Sequence, residues 1–162
     1  MPHFEHPFVP IFDKQSQALI LGTFPSVISR KEKFYYAHLQ NRFWKIMAHL
    51  TKTEPFPHTI DEKILMLFRN KIALWDIIQS CDILGSSDNS ITNVTPVNLS
   101  LILKNANIKY IFANGTKAYE LYKRYFSKHI VIDVKNLPST SPANAHYNFE
   151  KLIAKWSIII QR

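Results

Sequence analysis

The chain has 162 residues, 46% hydrophobic and 20% charged, which are ordinary values for one globular domain spanning residues 1–162 with a sizeable core. Its net charge of +8 favours an anionic partner, with nucleic acid the leading candidate and a merely solubilising charge the alternative. A single cysteine, Cys81, excludes an internal disulfide and a cysteine-built metal cluster. Neither a signal-like N-terminus nor a membrane-length apolar run occurs, so we expect a cytoplasmic protein without a membrane partner.

Apolar runs and helical spacings alternate along the chain. In order, the pattern predicts a strand at residues 18–21, helices at 43–50 and from the Thr59 capping box to about Arg69, and a strand at 72–78. It then predicts a helix at 99–106, a strand at 110–113, a helix at 118–125, a strand at 130–134 and a helix at 149–156. The strand candidates are continuous apolar runs, which are typical of parallel strands buried on both faces. This alternation predicts an α/β fold, a three-layer α/β/α sandwich with a central, mainly parallel four-stranded sheet and right-handed crossovers.

In such folds ligands bind at the carboxyl ends of the strands. The predicted strand ends lead into residues 22–26, 76–81, 114–115 and 137–144, all of which carry polar or turn residues. We therefore expect these four loops to converge on one cleft.

Three stretches in these loops form a recognisable pattern. Gly-Thr-Phe-Pro-Ser at residues 22–26 is followed by Phe-Tyr-Tyr-Ala-His-Leu-Gln-Asn-Arg-Phe-Trp at 34–44. Asp76 with Gly-Ser-Ser-Asp at 85–88 comes next, and Leu-Pro-Ser-Thr-Ser-Pro-Ala-Asn at 137–144 completes the set. Over essentially the whole chain and in the right order, this pattern resembles the uracil-DNA glycosylase superfamily. The hypoxanthine-DNA (deoxyinosine) glycosylase branch is the most similar, followed by the mismatch-specific uracil-DNA glycosylases.

The resemblance implies a monofunctional DNA glycosylase that acts in base excision repair without a metal or cofactor. It would hydrolyse the N-glycosidic bond of a deaminated base flipped out of DNA, with hypoxanthine first and uracil or xanthine next. Its partner would be double- or single-stranded DNA that contains such a base, and we expect a monomer. A mismatch-specific uracil/thymine-DNA glycosylase and a catalytically weak lesion-binding DNA protein are the alternatives.

The resemblance assigns the catalytic role to Asn41. The superfamily usually places an acidic or amide side chain at the second position of the first loop, where this chain has Thr23. The hypoxanthine branch instead carries its catalytic amide in the Asn-Arg-Phe-Trp element, and that amide is Asn41 here. Its carboxamide oxygen would orient the attacking water. The structural alternative is that Asn41 caps a helix that begins at Arg42.

Base binding is expected from the first loop and the middle segment. Tyr36 matches a position that stacks on the extruded base, with core packing as the alternative. Asp76 would accept a hydrogen bond from the ring N–H that both hypoxanthine and uracil present, unless it only caps a turn or pairs with a basic side chain. The same pocket is expected to include Gly22, Thr23, Phe24 and His38.

Short hydroxyl and amide side chains suit contacts to DNA phosphates. The residues predicted for this role are Ser26, Ser139, Thr140, Ser141 and Asn144. Leu137 stands where the superfamily often has histidine, so help to the leaving base from that position is missing. Basic residues at 30, 31 and 33 either clamp phosphates or form a solvated face. No spacing among the seven histidines predicts a metal site.

Overall fold

The computed structural model describes residues 1–162 and contains seven strands, six helices and two short 3-10 helices. The strands are β1 (His3–Glu5), β2 (Ala18–Gly22), β3 (Ile72–Asp76), β4 (Ile78–Asp82), β5 (Thr92–Pro96), β6 (Tyr110–Asn114) and β7 (Val134–Leu137). The helices are α1 (Val27–Glu32), α2 (Phe43–Leu50), α3 (Ile60–Arg69), α4 (Ser100–Leu103), α5 (Thr116–Tyr125) and α6 (Phe149–Trp156). The 3-10 helices are Asp88–Ser90 and Ser157–Ile159.

The central sheet confirms the predicted α/β fold. Its four strands run in the order β3-β2-β6-β7, and every pairing is parallel. All five residues of β2 and of β3 are buried, so both faces of the sheet are covered. Apolar side chains alternate to the two faces of a strand, which explains why β2 reads as an unbroken apolar run.

A second sheet, which the sequence pattern did not predict, lies beside the first. It has three antiparallel strands in the order β1-β4-β5. The single strand predicted at residues 72–78 is therefore wrong, because the chain leaves one sheet at Asp76 and enters the other at Ile78. An unbroken apolar run carries no sign of such a break, since both strands are buried.

The last strand also lies later than predicted. β7 covers Val134–Leu137, whereas the apolar run at 130–134 was expected to form it. Val131 is fully exposed, while Val134 and Leu137 are buried. Apolarity alone therefore placed the start of this strand four residues too early and its end three residues too early.

The helices agree better with the sequence periodicity. The predicted helices at 43–50, 118–125 and 149–156 are confirmed, and the one at 99–106 shortens to α4. The capping box of α3 is present, because Thr59 Oγ1 accepts from the Glu62 amide at 3.1 Å and Glu62 Oε1 accepts from the Thr59 amide at 3.1 Å. No helix combines the length and the apolar content required to cross a membrane.

The parallel register brings the site loops together. Gly22 at the end of β2 lies opposite Asp76 at the end of β3, and Asn114 at the end of β6 lies opposite Leu137 at the end of β7. The four loops that follow these strands therefore leave from one edge of the sheet, as predicted.

Candidate active site

A cavity of about 920 Å³ opens at this edge of the sheet. All four predicted loops line it, and every site residue predicted from the sequence is on its wall. These residues are Gly22, Thr23, Phe24, Ser26, Tyr36, His38, Asn41, Asp76, Ser139, Thr140, Ser141 and Asn144. Sequence reasoning did not select Asp88, Asn114 or Lys155, which also line it.

Gly22, Tyr36 and Asp76 meet at one corner of the cavity. A methyl group built on Gly22 would overlap Asp76 Oδ1 and would lie 2.8 Å from Tyr36 Oη. Only a glycine therefore leaves room for both polar atoms at the end of β2. The first loop begins with glycine because of this close approach.

Asp76 is buried, with 4% of its surface exposed, and its carboxyl group is paired with a histidine. His6 Nε2 lies 2.8 Å from Asp76 Oδ2, and the two side chains are 1% and 5% exposed. His6 comes directly after β1, and no motif in the sequence pointed to it. Asp76 Oδ2 is thus hydrogen-bonded to His6, while Asp76 Oδ1 lies next to Gly22.

Tyr36 contributes a ring and an unpaired hydroxyl. The ring stacks on Phe43 with a centroid distance of 4.2 Å and an interplanar angle of 23°. Tyr36 Oη is buried and has no hydrogen-bond partner. Burial, together with the charge of Asp76, raises the pKa of Tyr36 far above its usual value against the opposing effect of the Asn114 side chain, so the hydroxyl keeps its proton. Asn114 lies near this hydroxyl but makes no hydrogen bond of standard geometry to it. A buried hydroxyl without a partner is costly, and a ligand in the cavity could satisfy it.

Asn41 is fixed by two hydrogen bonds to its side-chain oxygen. Asn41 Oδ1 accepts from the Phe43 amide and from Thr140 Oγ1, both at 2.9 Å. α2 begins at Phe43 rather than at Arg42, and Asn41 satisfies one of its free N-terminal amides. The structure therefore gives Asn41 a capping contact and a place on the cavity wall at once.

Thr140 and Asn114 extend this network. Thr140 is fully buried, and its amide donates to Asn114 Oδ1 at 3.0 Å. Asn114 Nδ2 in turn donates to Thr140 Oγ1 at 3.1 Å. The amide and the hydroxyl of Thr140 are thus both hydrogen-bonded within the protein, and its hydroxyl contacts Asn41.

Arg42 holds the loop that follows β7. Its guanidinium donates to the carbonyl oxygens of Ser141 at 2.7 Å and Asn144 at 3.1 Å, and also to those of Tyr147 and Thr140. A planar group with five donors suits several carbonyl oxygens at once. The Asn-Arg-Phe-Trp element thus joins the two halves of the site, a role that its sequence did not reveal.

Several predicted polar residues keep a hydrogen-bonding group free. Ser139 Oγ accepts from the Ser141 amide at 3.1 Å and Ser141 Oγ accepts from the Ala143 amide at 3.2 Å, so both hydroxyl hydrogens stay available. His38 Nδ1 accepts from the Gln40 amide at 3.0 Å, which places the proton of a neutral ring on Nε2. Ser26 differs from these residues, because its hydroxyl accepts from the Ser29 amide at 3.2 Å and donates to Ser29 Oγ at 3.1 Å, so it is used in capping α1.

Asp88 adds a second carboxyl group to the cavity. It is solvent-exposed, and it lies near Thr23. The protein that packs around its carboxyl group, together with the charge of Asp76, raises the pKa of Asp88 to about 6, against the opposing effects of Lys117 and Thr23. The Gly-Ser-Ser-Asp segment was the available signal for this residue.

The basic residues near α1 do not act together. The guanidinium of Arg30 donates to the carbonyl oxygens of Pro25 at 2.7 Å and Gly85 at 3.1 Å, and it lies 4.5 Å from the centre of the Phe4 ring. Arg30 therefore ties the first loop to the segment at 85–88. Lys31 and Lys33 are exposed and available for an anionic partner.

Comparison with known proteins agrees with this geometry. The family model of the uracil DNA glycosylase superfamily matches residues 9–158. A hypoxanthine DNA glycosylase from Methanosarcina barkeri is 31% identical over 115 residues, which are 70% of this chain and 72% of that protein. A hypoxanthine DNA glycosylase from Methanosarcina acetivorans is 29% identical over 144 residues, 87% of this chain and 89% of that protein.

A solved structure shows the same fold. It is the solution NMR structure of a protein from Methanosarcina acetivorans described as a candidate uracil DNA glycosylase. The two chains superpose with a TM-score of 0.82 over 97% of each, at 26% sequence identity. The matching family model, the sequence relatives and the shared fold together confirm the resemblance seen in the motifs, and the chain belongs to the uracil DNA glycosylase superfamily, on the side of its hypoxanthine DNA glycosylase relatives.

Proposed function

We propose that this protein is a monofunctional DNA glycosylase that excises hypoxanthine from DNA, with uracil or xanthine as secondary substrates. Membership of the superfamily, together with two relatives named hypoxanthine DNA glycosylase, makes it a DNA glycosylase for deaminated bases. The preference for hypoxanthine over uracil is the part that we propose, and the two relatives named hypoxanthine DNA glycosylase support it. The observation that carries a deaminated base over adenine is the corner where Asp76 Oδ1 and the unpaired Tyr36 Oη both adjoin Gly22, and this corner fits hypoxanthine and uracil alike.

This corner suits one edge of a deaminated base. Hypoxanthine presents a ring N–H donor beside a carbonyl acceptor, and uracil presents the same pair. Asp76 Oδ1 would accept from the N–H, and the Tyr36 hydroxyl is the protein donor that the carbonyl oxygen would satisfy. Adenine has an unprotonated ring nitrogen at that place, which would face an acceptor and be repelled. One face of the Tyr36 ring lies against Phe43. Stacking of the base on the other face, which the sequence predicted, is the alternative to this hydrogen bond, because a stacked base turns its carbonyl edge away from the Tyr36 hydroxyl.

Hydrolysis requires a water placed below the sugar while the base departs as an anion. We assign the placement of this water to Asn41, whose carboxamide is fixed on the cavity wall. Asn41 Oδ1 already accepts two hydrogen bonds, so contact with a water there needs the Thr140 hydroxyl to turn its hydrogen away. Asn41 Nδ2 makes no hydrogen bond within the protein and offers a second contact to the same water.

The loops around the cavity would hold the DNA backbone. The free hydroxyl hydrogens of Ser139 and Ser141, with Ser26 and Asn144, are proposed to contact phosphates, and Nε2 of His38 is a further donor to a phosphate or to the base. The target nucleotide must leave the helical stack before it can enter the cavity. We propose that the protein acts as a monomer in the cytoplasm.

The test is a glycosylase assay on matched duplexes that contain inosine, uracil, xanthine or a G·T mismatch, each with alkali treatment to reveal abasic sites. We expect the fastest excision from the inosine duplex, and no strand cleavage before alkali. Excision confined to uracil or to G·T would favour a mismatch-type enzyme instead. Tight binding to inosine DNA without an abasic product would favour a lesion-binding protein.

Lys155 is the reason for testing whether the strand is cleaved before alkali treatment. It lies on α6 and lines the cavity, although no lysine stands within the sequence motifs. A glycosylase that cleaves the strand uses an amine to form a Schiff base with the sugar. Reduction with borohydride during the reaction should therefore trap no covalent complex, and a trapped complex that disappears in Lys155→Ala would overturn the monofunctional assignment.

A further inference from the structure

We infer that His6 is a positioning residue for base selection, because it holds the proton of the Asp76 carboxyl group on the side away from the base. This inference deepens the proposed function and rests on it for the identity of the base. His6 lies before residue 9, where the match to the family model begins.

The contacts of the imidazole fix where its protons lie. His6 Nδ1 lies 2.8 Å from the carbonyl oxygen of Phe8, which can only accept, so Nδ1 carries a hydrogen. The same nitrogen is 3.4 Å from the Phe8 amide nitrogen, a weaker contact that the opposite tautomer would need. With Nδ1 protonated, His6 Nε2 and Asp76 Oδ2 at 2.8 Å share one further proton.

This shared proton has two positions. It lies either on Nε2, which makes an imidazolium beside a carboxylate, or on Oδ2, which makes a neutral pair. In both cases the pair as a whole has no net charge, as expected for two side chains that are 1% and 5% exposed. In the first arrangement Asp76 itself carries the negative charge that acts on Tyr36 and Asp88. In both cases Asp76 Oδ1 has no proton and can act only as an acceptor.

The surroundings leave His6 no competing charged partner. The rings of Phe8, Phe24 and Tyr35 surround the imidazole, with centroids 4.6 to 6.0 Å away. Tyr35 donates its hydroxyl to the Val9 carbonyl oxygen at 2.8 Å. Asp76 is thus the charged group that faces His6, and a low-polarity shell keeps the proton between them.

The consequence for base selection follows from Oδ1. As a fixed acceptor, Oδ1 can accept a hydrogen bond from the ring N–H of hypoxanthine, whereas it repels the unprotonated ring nitrogen of adenine. Without His6, Asp76 Oδ2 has no hydrogen-bond partner, so the carboxyl group is free to turn and Oδ1 is no longer held as an acceptor towards the base. Discrimination between the two purines would then fall.

The protein contains its own control for this pair. His3 Nδ1 lies 2.7 Å from Asp82 Oδ1, but these side chains are 48% and 25% exposed and neither residue lines the cavity. The experiment compares His6→Leu, which removes the partner, His6→Gln, which can still donate to Oδ2, and His3→Leu as the matched control. Each variant is bound to duplexes that carry a non-cleavable 2′-fluoro inosine or 2′-fluoro adenosine nucleotide.

We expect His6→Leu to lower the preference for the inosine duplex by about tenfold to a hundredfold, in line with the loss of a buried hydrogen-bond partner. His6→Gln should recover most of the preference, and His3→Leu should equal the wild type. An unchanged preference in a His6→Leu protein that melts as a folded domain would overturn the inference. So would equal losses in His6→Leu and His6→Gln.

A measurement on the free protein separates this inference from the proposed function. The ¹⁵N chemical shifts of the His6 ring report which nitrogens carry protons, without any DNA. We expect a protonated Nδ1 in the folded protein. A bare Nδ1 with a proton only on Nε2 would refute the arrangement, even if the enzyme excised hypoxanthine. Inactivity on every duplex, with Nδ1 protonated, would instead count against the proposed function alone.

Discussion

Two walls of the cavity differ in how completely their polar groups are paired. The closed wall consists of Asn41, Asn114 and Thr140, whose side chains bond to one another and to the start of α2. The open wall consists of Gly22, Tyr36, Asp76 and Asp88, and it holds an unpaired buried hydroxyl and two carboxyl groups. Each wall has residues at the carboxyl ends of strands of the parallel sheet, Asn114 in the closed wall and Gly22 and Asp76 in the open wall, whereas Asp88 follows β4 of the second sheet.

The difference separates two tasks. The heavy atoms of a closed network have little freedom to move, so the network can hold a catalytic amide in one place before the substrate arrives. Only the hydrogen of the Thr140 hydroxyl has to turn when a water binds at Asn41 Oδ1. An open wall carries a cost in the free protein that a complementary ligand removes. We therefore expect changes in the closed wall to lower the rate of the chemical step, and changes in the open wall to alter binding and selectivity.

The largest expected effect comes from Asn41→Ala in the closed wall. Loss of the group that positions the water should lower the single-turnover rate on inosine DNA by about a hundredfold to a thousandfold, with a much smaller change in binding. Rapid-quench assays at saturating enzyme measure the rate, and binding to 2′-fluoro inosine DNA measures affinity. Asn148→Ala is the matched control, because Asn148 caps α6 by accepting from the Lys151 amide at 2.9 Å and does not line the cavity. A wild-type rate in Asn41→Ala would remove it from the mechanism.

Gly22→Ala fills the corner of the open wall. Its methyl group would collide with Asp76 Oδ1 and crowd Tyr36 Oη, so we expect binding of inosine DNA to weaken by about tenfold to a hundredfold. Gly85→Ala is the control, because Gly85 has a φ of +55° and nothing within 4 Å of the added group. It should lower stability through its backbone and leave the binding of DNA unchanged. Equal affinities for both variants would show that the corner does not contact the base.

Tyr36→Phe tests the unpaired hydroxyl. Because that hydroxyl has no partner in the free protein, its removal should leave the melting temperature unchanged or slightly higher. The preference for inosine over adenosine DNA should fall by about threefold to tenfold, whereas Tyr36→Leu, which also removes the stacking face, should weaken binding further. In Tyr35→Phe, the lost bond to the Val9 carbonyl should lower the melting temperature instead. A large stability loss in Tyr36→Phe would contradict the open-wall description.

The sequence predicted which residues line the closed wall and the open wall better than it predicted their contacts. Both appeared as loops after apolar strands, and the residue types at Tyr36, Asn41 and Asp76 indicated their chemistry before any contact was known. The motifs could not show that Asn41 Oδ1 is occupied, because its partner Thr140 lies 99 residues away. The contact between His6 and Asp76 could not be predicted for the same reason. The two residues are 70 positions apart in the sequence and lie at the ends of strands in different sheets.

The errors in the fold have a related physical cause. Apolar runs indicate burial, but they do not say against which sheet a strand is buried. The run at residues 72–78 therefore concealed a change of sheet at Ile77, and the exposed run around Val131 resembled a strand. Helix boundaries were predicted more accurately than strand boundaries, because side chains close in sequence determine them. The Thr59 and Glu62 capping box at the start of α3 is an example.

The smallest expected effect concerns Asp88 and reports on the cost of the open wall. Burial and the charge of Asp76 raise the pKa of Asp88 to about 6, so ionisation of Asp88 is less favourable in the folded than in the unfolded protein. The stability that its neutral form gives is full below the ordinary pKa and is lost as pH rises through about 6. Asp88→Asn should therefore match the wild type near pH 4 and melt about 1–3 °C higher at pH 7 to 8.

Asp133→Asn is a control of opposite sign. The hydrogen bond from the Val134 amide and the neighbouring Lys123 lower the pKa of Asp133, so its charged form favours folding. This variant should melt slightly below the wild type at pH 7, with the deficit shrinking as the pH falls through the lowered pKa. Calorimetric melts of the wild type and the two variants from pH 4 to 8 give the pH dependence of the melting temperature for each protein.

The same melts with inosine DNA bound test whether Asp88 faces the base. If the higher melting temperature of Asp88→Asn disappears when inosine DNA is bound, the bound base stabilises the Asp88 carboxylate that is unfavourable in the free protein. A gain that persists with DNA bound would place Asp88 outside the contact surface and confine the open wall to Gly22, Tyr36 and Asp76.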